Sequence, residues 1–151
     1  MENNIRRFLG LDYGGRTVGV AVSDPLGLTA QPVETIWRDR ENHLRETLRR
    51  IGELAAQYQV AGIVLGLPLN MDGSAGERAE KTMEFRDMLE RRTGLPVYLS
   101  DERLSTVESE EVLSEMGIKK RDMKRLVDRT AAAIILTDWL REHEDDIFYG
   151  Q

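Results

Sequence analysis

Short apolar runs separated by glycines dominate the first quarter of the chain. Residues 8–12 and 18–23 are two such runs, and Gly14 and Gly15 lie between them. This pattern predicts a β-hairpin whose glycines can adopt positive φ. A further run from Thr29 to Trp37 predicts a third strand.

The pattern then changes to helical spacing. From about residue 40 to 58, apolar side chains recur every three or four positions, at Leu44, Leu48, Ile51, Leu54, Ala55 and Tyr58, which predicts an amphipathic helix. Residues 60–65 are apolar without alternation, as is typical of a strand covered on both faces. We therefore expect this strand to be central in a sheet with parallel pairing.

Strand and helix alternate in the second half as well. A glycine-rich loop over 66–76 precedes a helix that ends near Arg92, before Gly94 and Pro96, with these predicted inward residues: Ala79, Met83, Met88 and Leu89. A strand over 97–100 follows, then a short helix over 108–116 capped by Ser105 or Thr106, and a last helix over about 121–141. The order βββαβαβα predicts an α/β fold, a mixed sheet flanked by helices.

Length and composition predict a single domain that spans residues 1–151, with its core from about residue 8 to residue 141. The chain has 151 residues, 40% of them hydrophobic, and no cysteine, so disulfides and thiolate metal sites are excluded. The start of the sequence lacks an apolar targeting segment, and no run approaches the roughly 20 residues of a membrane helix. We expect a cytoplasmic protein without membrane association.

Charge is unevenly distributed along the chain. The net charge is −6, from 27 acidic and 21 basic residues, which argues against a protein that grips nucleic acid through overall positive charge. Residues 142–151 form a short acidic tail. Basic side chains concentrate before and around Asp128, at Lys119, Lys120, Arg121, Lys124, Arg125 and Arg129. They form either a basic patch beside an acidic site or a solvated helix face.

Three acidic residues occupy positions where an isolated charge is unfavourable in a folded protein. Asp12 ends the first strand, Glu102 follows the strand over 97–100, and Asp128 shares a helical stripe with buried-type residues: Ala131, Ala132, Ile135 and Trp139. Carboxylates that converge away from water must be paired, protonated or bound to a cation. Each also has an ordinary explanation: Asp12 could cap the glycine turn, and Arg103 could pair with Glu102 or Asp128.

The available donor atoms favour a hard cation. With no cysteine, and with His43 and His143 expected at the surface, the candidate ligands are carboxylate oxygens, which suit Mg²⁺ or Mn²⁺ rather than zinc. Such clusters can hold two ions about 4 Å apart and promote in-line displacement at phosphorus. The implied reaction is phosphodiester hydrolysis.

The loop over 66–76 is long and glycine-rich for a simple connector. We expect it to grip substrate beside the metals, with Asn70 and Ser74 as contacts. The alternatives are a structural turn or a phosphate cradle opening the next helix, although the loop lacks the Gly-Lys-Ser/Thr ending of a P-loop.

Four ordered motifs resemble the YqgF (RuvX) family over about residues 8–141. They are Gly10-Leu11-Asp12-Tyr13-Gly14-Gly15-Arg16 with the following strand, Gly66-Leu67-Pro68-Leu69-Asn70-Met71-Asp72-Gly73-Ser74, Asp101-Glu102-Arg103-Leu104-Ser105-Thr106, and Val127-Asp128 leading into the alanine-rich helix. The first motif departs from the family, which usually has Lys-Arg where this chain has Arg16 and Thr17.

The resemblance implies a ribonuclease H-like fold with a five-stranded mixed sheet and a bacterial nuclease. The family is described both as a Holliday junction resolvase and as the enzyme that matures the 5′ end of the 16S ribosomal RNA precursor. Asp12, Glu102 and Asp128 match its acidic catalytic positions and would bind two Mg²⁺ or Mn²⁺ ions. Basic side chains are the candidates to contact substrate phosphates: Arg16, Arg103, Lys119, Lys120 and Lys124.

Two other functional interpretations fit the sequence. Residues 12–15 also resemble the first phosphate motif of actin-like sugar kinases, but 151 residues supply only one of the two domains that close over ATP. A non-catalytic nucleic-acid-binding factor would bind independently of Asp12. The partner is either a structured RNA precursor, with the ribosome or its assembly factors nearby, or branched DNA. The sequence does not separate a monomer from a homodimer.

Overall fold

The computed structural model describes residues 6–101 and 120–143, and its side chains are described over 6–101 and 131–143. Within these ranges the elements are β1 (Phe8–Tyr13), β2 (Thr17–Ser23), β3 (Ala30–Trp37), α1 (Arg45–Tyr58), β4 (Gly62–Leu67), α2 (Glu77–Thr93), β5 (Val97–Asp101) and α3 (Lys120–Glu142). The predicted helix over 108–116, its caps at Ser105 or Thr106, and the acidic tail from 144 onward lie outside the described residues. No helix in the described part of the chain is both long and apolar enough to span a bilayer.

Strands β1 and β2 form the predicted hairpin, with Tyr13 opposite Val18. The backbone N–H of Gly14 donates to the Thr17 carbonyl at 2.7 Å and closes the turn. The expectation of positive φ at this turn was wrong, because the described glycines with positive φ are Gly27, Gly73 and Gly94. A Cβ at position 14 would lie 3.2 Å from the Thr17 hydroxyl, so Gly14 is favoured by close contact instead.

The five strands form one mixed sheet in the order β3-β2-β1-β4-β5. Strands β2 and β3 pair in antiparallel fashion and extend the hairpin, whereas β1, β4 and β5 are mutually parallel. Strand β4 is interior with two parallel neighbours, and Gly62 to Gly66 are buried, as its continuous apolar run predicted. The middle strand is β1, because the hairpin adds two strands on its other side.

Helices α1 and α2 cover one face of the sheet. Alternate residues of β1, namely Leu9, Leu11 and Tyr13, belong to the core on this side, where α1 contributes Ile51, Leu54 and Ala55 as predicted. In α2 the buried residues are Ala79, Thr82, Phe85 and Leu89. The expectation that Met83 and Met88 point inward was only partly right, since the buried stripe runs through Thr82 and Phe85 and leaves both methionines half-buried at its margins.

Helix α1 begins later than predicted. It starts at Arg45 rather than near residue 40, so the exposed His43 precedes the helix. The reason is a turn held by Arg38, whose Nε donates to the Glu41 carbonyl at 2.9 Å. A bond from the His43 N–H to the Arg40 carbonyl continues this turn.

Helix α3 covers the opposite face. Its inward stripe is the predicted one, because Ala131, Ala132, Ile135 and Trp139 are all buried. The Trp139 ring packs against three aromatic rings: Phe8 at 4.9 Å, Tyr98 at 5.0 Å and His143 at 4.3 Å between centroids. His143 is therefore half-buried by stacking, and the expectation that it is a surface residue was wrong.

Gly10 is the point of closest approach between β1 and α3. A Cβ at this position would lie 2.7 Å from the Leu136 Cβ and 2.8 Å from the Ala132 carbonyl oxygen, distances at which atoms must shift. The helix therefore packs directly on the β1 backbone. The alanines of α3 permit this close contact.

We expect Gly10→Ala to lower the free energy of unfolding by about 1–3 kcal/mol, because α3 must move away from β1. The matched control is Gly52→Ala in α1, where nothing lies within 4 Å of the new Cβ. This control should gain about 0.5–1 kcal/mol from helix propensity. Urea unfolding of both variants tests the contact, and a neutral Gly10→Ala would contradict it.

Candidate active site at the carboxyl ends of the strands

The carboxyl ends of the parallel strands meet at one edge of the sheet. Leu11, Leu65 and Leu99 form one row across β1, β4 and β5. One residue further along each strand stand Asp12, Gly66 and Ser100. Ligands of open α/β sheets bind beyond such ends, so this edge is the candidate site.

Asp12 is half-buried and lies opposite Gly19 of β2. Side chains alternate between the two faces of a strand. Phe8 and Gly10 contact α3, so Asp12 is on the α3 side of the sheet. A carboxylate is thus held by a central strand, next to a buried glycine of β4.

The remaining predicted acidic and basic residues are only partly described. Glu102 directly follows Asp101, the last residue of β5, and lies outside the described residues together with Arg103 and Lys119. Lys120, Lys124 and Asp128 belong to α3, and their side chains are outside the described set. Among the described residues there is no group of three or more metal-ligating side chains. Arg16 is exposed in the β1–β2 turn.

The loop after β4 is ordered by its own side chains. The Asn70 amide donates to the Ser74 hydroxyl at 3.0 Å, and that hydroxyl donates to Asp72 Oδ1 at 2.6 Å. Backbone bonds link Asn70 N–H to the Ser74 carbonyl and Gly73 N–H to the Asn70 carbonyl. Asn70 and Ser74, the predicted substrate contacts, therefore hold the loop in shape, and contact with substrate stays a prediction.

The phosphate-cradle alternative for this loop is disfavoured by charge. Helix α2 begins after Gly76, and its first turn contains Glu77 and Glu80. Acidic side chains at a helix N-terminus already interact with its positive dipole end and repel a further anion.

An arginine that the sequence reasoning missed holds the turn next to Asp12. Arg38 is only 8% exposed, and its Nη2 donates to the carbonyls of Gly14 at 2.6 Å and Gly15 at 2.8 Å. Its guanidinium also lies 4.9 Å from the centre of the Tyr13 ring. Burial lowers the pKa of the Arg38 guanidinium from its ordinary value, yet arginine stays protonated near neutral pH. Arg38 thus connects the end of β3 to the turn that follows Asp12.

Tyr13 is the centre of a supporting cluster on the α1 and α2 side. Its ring stacks on Phe85 at 4.0 Å, and Arg78 lies 4.9 Å from its centre. Arg78 also bonds Glu41 at 2.6 Å, and Lys81 reaches the same oxygen at 3.2 Å. The hydrogen bond from Arg78, followed by that from Lys81, holds the pKa of the Glu41 carboxyl below its ordinary value. A cleft of about 390 Å³ borders this cluster.

The strand pattern contained a signal for Arg38. Ile36 is buried in the core, and alternation puts the residue two positions later on the same face. Arg38 stands one residue beyond the end of β3, where the predicted strand stopped, so its buried position could have been inferred only by extending the alternation past Trp37.

The sequence profile of the RuvX family, described as Holliday junction resolvase, matches residues 6–142. The chain belongs to the RuvX family. A protein of Lachnospira eligens is 52% identical over 138 residues, which cover 91% of this chain and 99% of that protein. One of Agathobacter rectalis is 54% identical and covers 89% and 94%. Both are named "Putative pre-16S rRNA nuclease".

Among solved structures, the chain is similar to Thermus thermophilus RuvC in complex with a Holliday junction substrate. The TM-score is 0.54 at 18% identity, and the match covers 92% of this chain and 96% of that one. The predicted ribonuclease H-like fold of a RuvX family member is confirmed by this likeness and by the five-stranded mixed sheet.

We expect Arg38→Ala to lower the free energy of unfolding by about 2–4 kcal/mol, because two turn carbonyls lose a charged donor. Arg40→Ala is the control: Arg40 is exposed two residues away and should change stability by less than about 0.5 kcal/mol. Chemical unfolding measures both. Equal stability of the two variants would show that the Arg38 bonds do not hold the turn.

Proposed function

We propose that this RuvX family member is a metal-dependent nuclease that matures the 5′ end of the 16S ribosomal RNA precursor. The observation that carries this proposal is Asp12, a half-buried carboxylate at the carboxyl edge of the central strand. Relatives of about half identity, matched over nearly their whole length, support the substrate.

The strand order supports a partnership of Asp12 with Glu102. Strand β5 lies two strands from β1, which corresponds to roughly 10 Å between backbones. Gly66 of β4 stands between them and has no side chain to fill the space. We propose that Asp12 and Glu102, which directly follows β5 in the sequence, supply the carboxylates of a site for one or two ions there.

The packing of α3 supports the inclusion of Asp128. Trp139 contacts Phe8, and the turn from Ala132 to Leu136 contacts Gly10, so α3 runs opposite to β1. Two further residues along β1, to Asp12, correspond to roughly one more helical turn toward the start of α3. That turn includes position 128.

Carboxylate oxygens are the donors that Mg²⁺ and Mn²⁺ prefer, and Asp12, Glu102 and Asp128 would hold the ion or ions. A bound ion of this kind lowers the pKa of a water and stabilises the leaving oxygen in phosphodiester hydrolysis. The protein itself orients Asp12, because the Gly14–Gly15 turn is bonded to Arg38. Basic residues offset the repulsion between substrate phosphates and the acidic cluster: Arg16, Arg103, Lys119, Lys120 and Lys124.

Resolution of Holliday junctions is the second candidate function. The description of the matching family favours it. A folded RNA precursor and a four-way DNA junction both present closely spaced phosphates, and contacts to the backbone carry no base information. The two candidates therefore differ in substrate and share the acidic site.

We expect Asp12→Asn to abolish cleavage while leaving folding and binding of nucleic acid intact, because a ligand charge is lost at constant shape. The assay measures Mg²⁺- or Mn²⁺-dependent cutting of a 16S precursor 5′ fragment and of a four-way DNA junction in parallel. Asp87→Asn is the matched control, since Asp87 is exposed on α2, and it should cut at the wild-type rate.

Each result has a distinct meaning. Cutting of the RNA alone supports 5′-end maturation, and cutting of the junction alone supports the resolvase. Full turnover by Asp12→Asn would refute its catalytic role. If the wild-type protein binds the nucleic acid but does not cut it with Mg²⁺ or with Mn²⁺, the result would favour a non-catalytic nucleic-acid-binding factor.

A further inference from the structure

A large aromatic side chain is exposed at the same edge of the sheet as Asp12. Trp37, the last residue of β3, is 51% exposed, whereas its neighbour Ile36 is buried in the core. Strand alternation therefore directs Trp37 to the α3 side of the sheet. A single exposed apolar side chain is ordinary on a protein surface, so the position of Trp37 on the same edge and face as Asp12 is what makes it a candidate to contact substrate.

The register relates Trp37 to Asp12. Asp12 lies opposite Gly19, and Gly19 lies opposite Thr35. Trp37 is two residues further along β3 on the same face, so the two backbone positions are roughly 12 Å apart. A nucleic-acid strand with a phosphate at Asp12 that ran toward β3 would reach Trp37 within a few nucleotides.

Trp37 lies in a hydrogen-bonded part of the sheet next to exposed charged side chains. Trp37 lies opposite Thr17, and the Arg38 N–H donates to the Arg16 carbonyl at 2.9 Å. The side chains of Arg16 and Arg40 are exposed at the same end of the sheet, together with one exposed acidic side chain, Asp39. The indole is thus fixed on a strand that Arg38 ties to the turn, beside cations that attract a phosphate backbone.

We propose that Trp37 is a stacking platform for a nucleobase of the substrate strand that crosses Asp12. Every base has an aromatic face, so stacking holds a single-stranded segment without reading its sequence. Unpaired bases of RNA are commonly bound by aromatic side chains in this way. This inference rests on the proposed nuclease function and adds a determinant of where the strand is positioned for cutting.

The test measures binding in the Asp12→Asn background, so that the strand stays uncut. Trp37→Ala should weaken binding of the 16S precursor fragment or the four-way junction by about fivefold to a hundredfold, and Trp37→Phe should retain most of the affinity. Leu28→Ala is the matched control. Leu28 is 59% exposed at the opposite end of the β2–β3 hairpin and should bind as the parent does.

A second series replaces single nucleotides by abasic ones around the position of cleavage. If Trp37 stacks on one base, the difference in binding affinity between the parent protein and Trp37→Ala should disappear when that base is removed. The difference should persist when any other base is removed. Unfolding curves for Trp37→Ala and Trp37→Phe establish that both variants are folded.

The outcomes separate this inference from the nuclease assignment. Suppose that Trp37→Ala leaves the affinity for nucleic acid unchanged in the Asp12→Asn background, while the wild-type protein cuts its substrate. That result would overturn the stacking role and leave the nuclease assignment intact. A uniform loss across all abasic substrates would also overturn it, because the indole would then act through the fold or another partner. Absence of nucleic-acid binding by the parent protein would refute both proposals.

Discussion

The direct contact between Gly10 and α3 is the constraint on which the arrangement of the site depends. Any side chain at position 10 would overlap the Ala132 carbonyl and Leu136, so the helix sits on the bare backbone of the middle strand. Asp12 is two residues away on the same face. The same close packing that buries Ala132 and Leu136 therefore also sets the distance between Asp12 and the first half of α3.

The two faces of the sheet contribute differently to the candidate site. On the α1 and α2 side, Tyr13 stacks on Phe85, and Arg38 bonds the turn after Asp12. The contacts on this side hold the end of β1 and the turn that follows it, and so position Asp12 from the opposite face of the sheet. On the α3 side, Asp12 and the exposed Trp37 share one surface at the carboxyl edge, which is the surface that we propose for the substrate strand.

Rigidity of the site comes from polar contacts as well as from the apolar core. A buried guanidinium is costly unless its donors are used, and Arg38 Nη2 donates to the carbonyls of both Gly14 and Gly15, while Nε donates to the Glu41 carbonyl. The loop after β4 follows the same logic, since Asn70, Asp72 and Ser74 bond one another. The first segment directly follows Asp12, the second follows the neighbouring strand β4, and internal hydrogen bonds order both.

Local pattern was sufficient for most of the sequence-based predictions. The continuous apolar run over 60–65 identified an interior parallel strand, and the alanine-rich stripe identified the buried side of α3, because periodicity reflects burial directly. Four ordered motifs, of which the one around Asp12 is the first, identified the family. The roles of Glu102 and Asp128 stay predictions, since the described side chains do not include them. The tertiary structure alone decided the contacts between residues distant in sequence. These are Arg38 with the Gly14–Gly15 turn, Phe85 on Tyr13, and Trp37 on the same face of the sheet as Asp12. Such contacts depend on strand register and on the separation of helix and sheet, which no local spacing specifies.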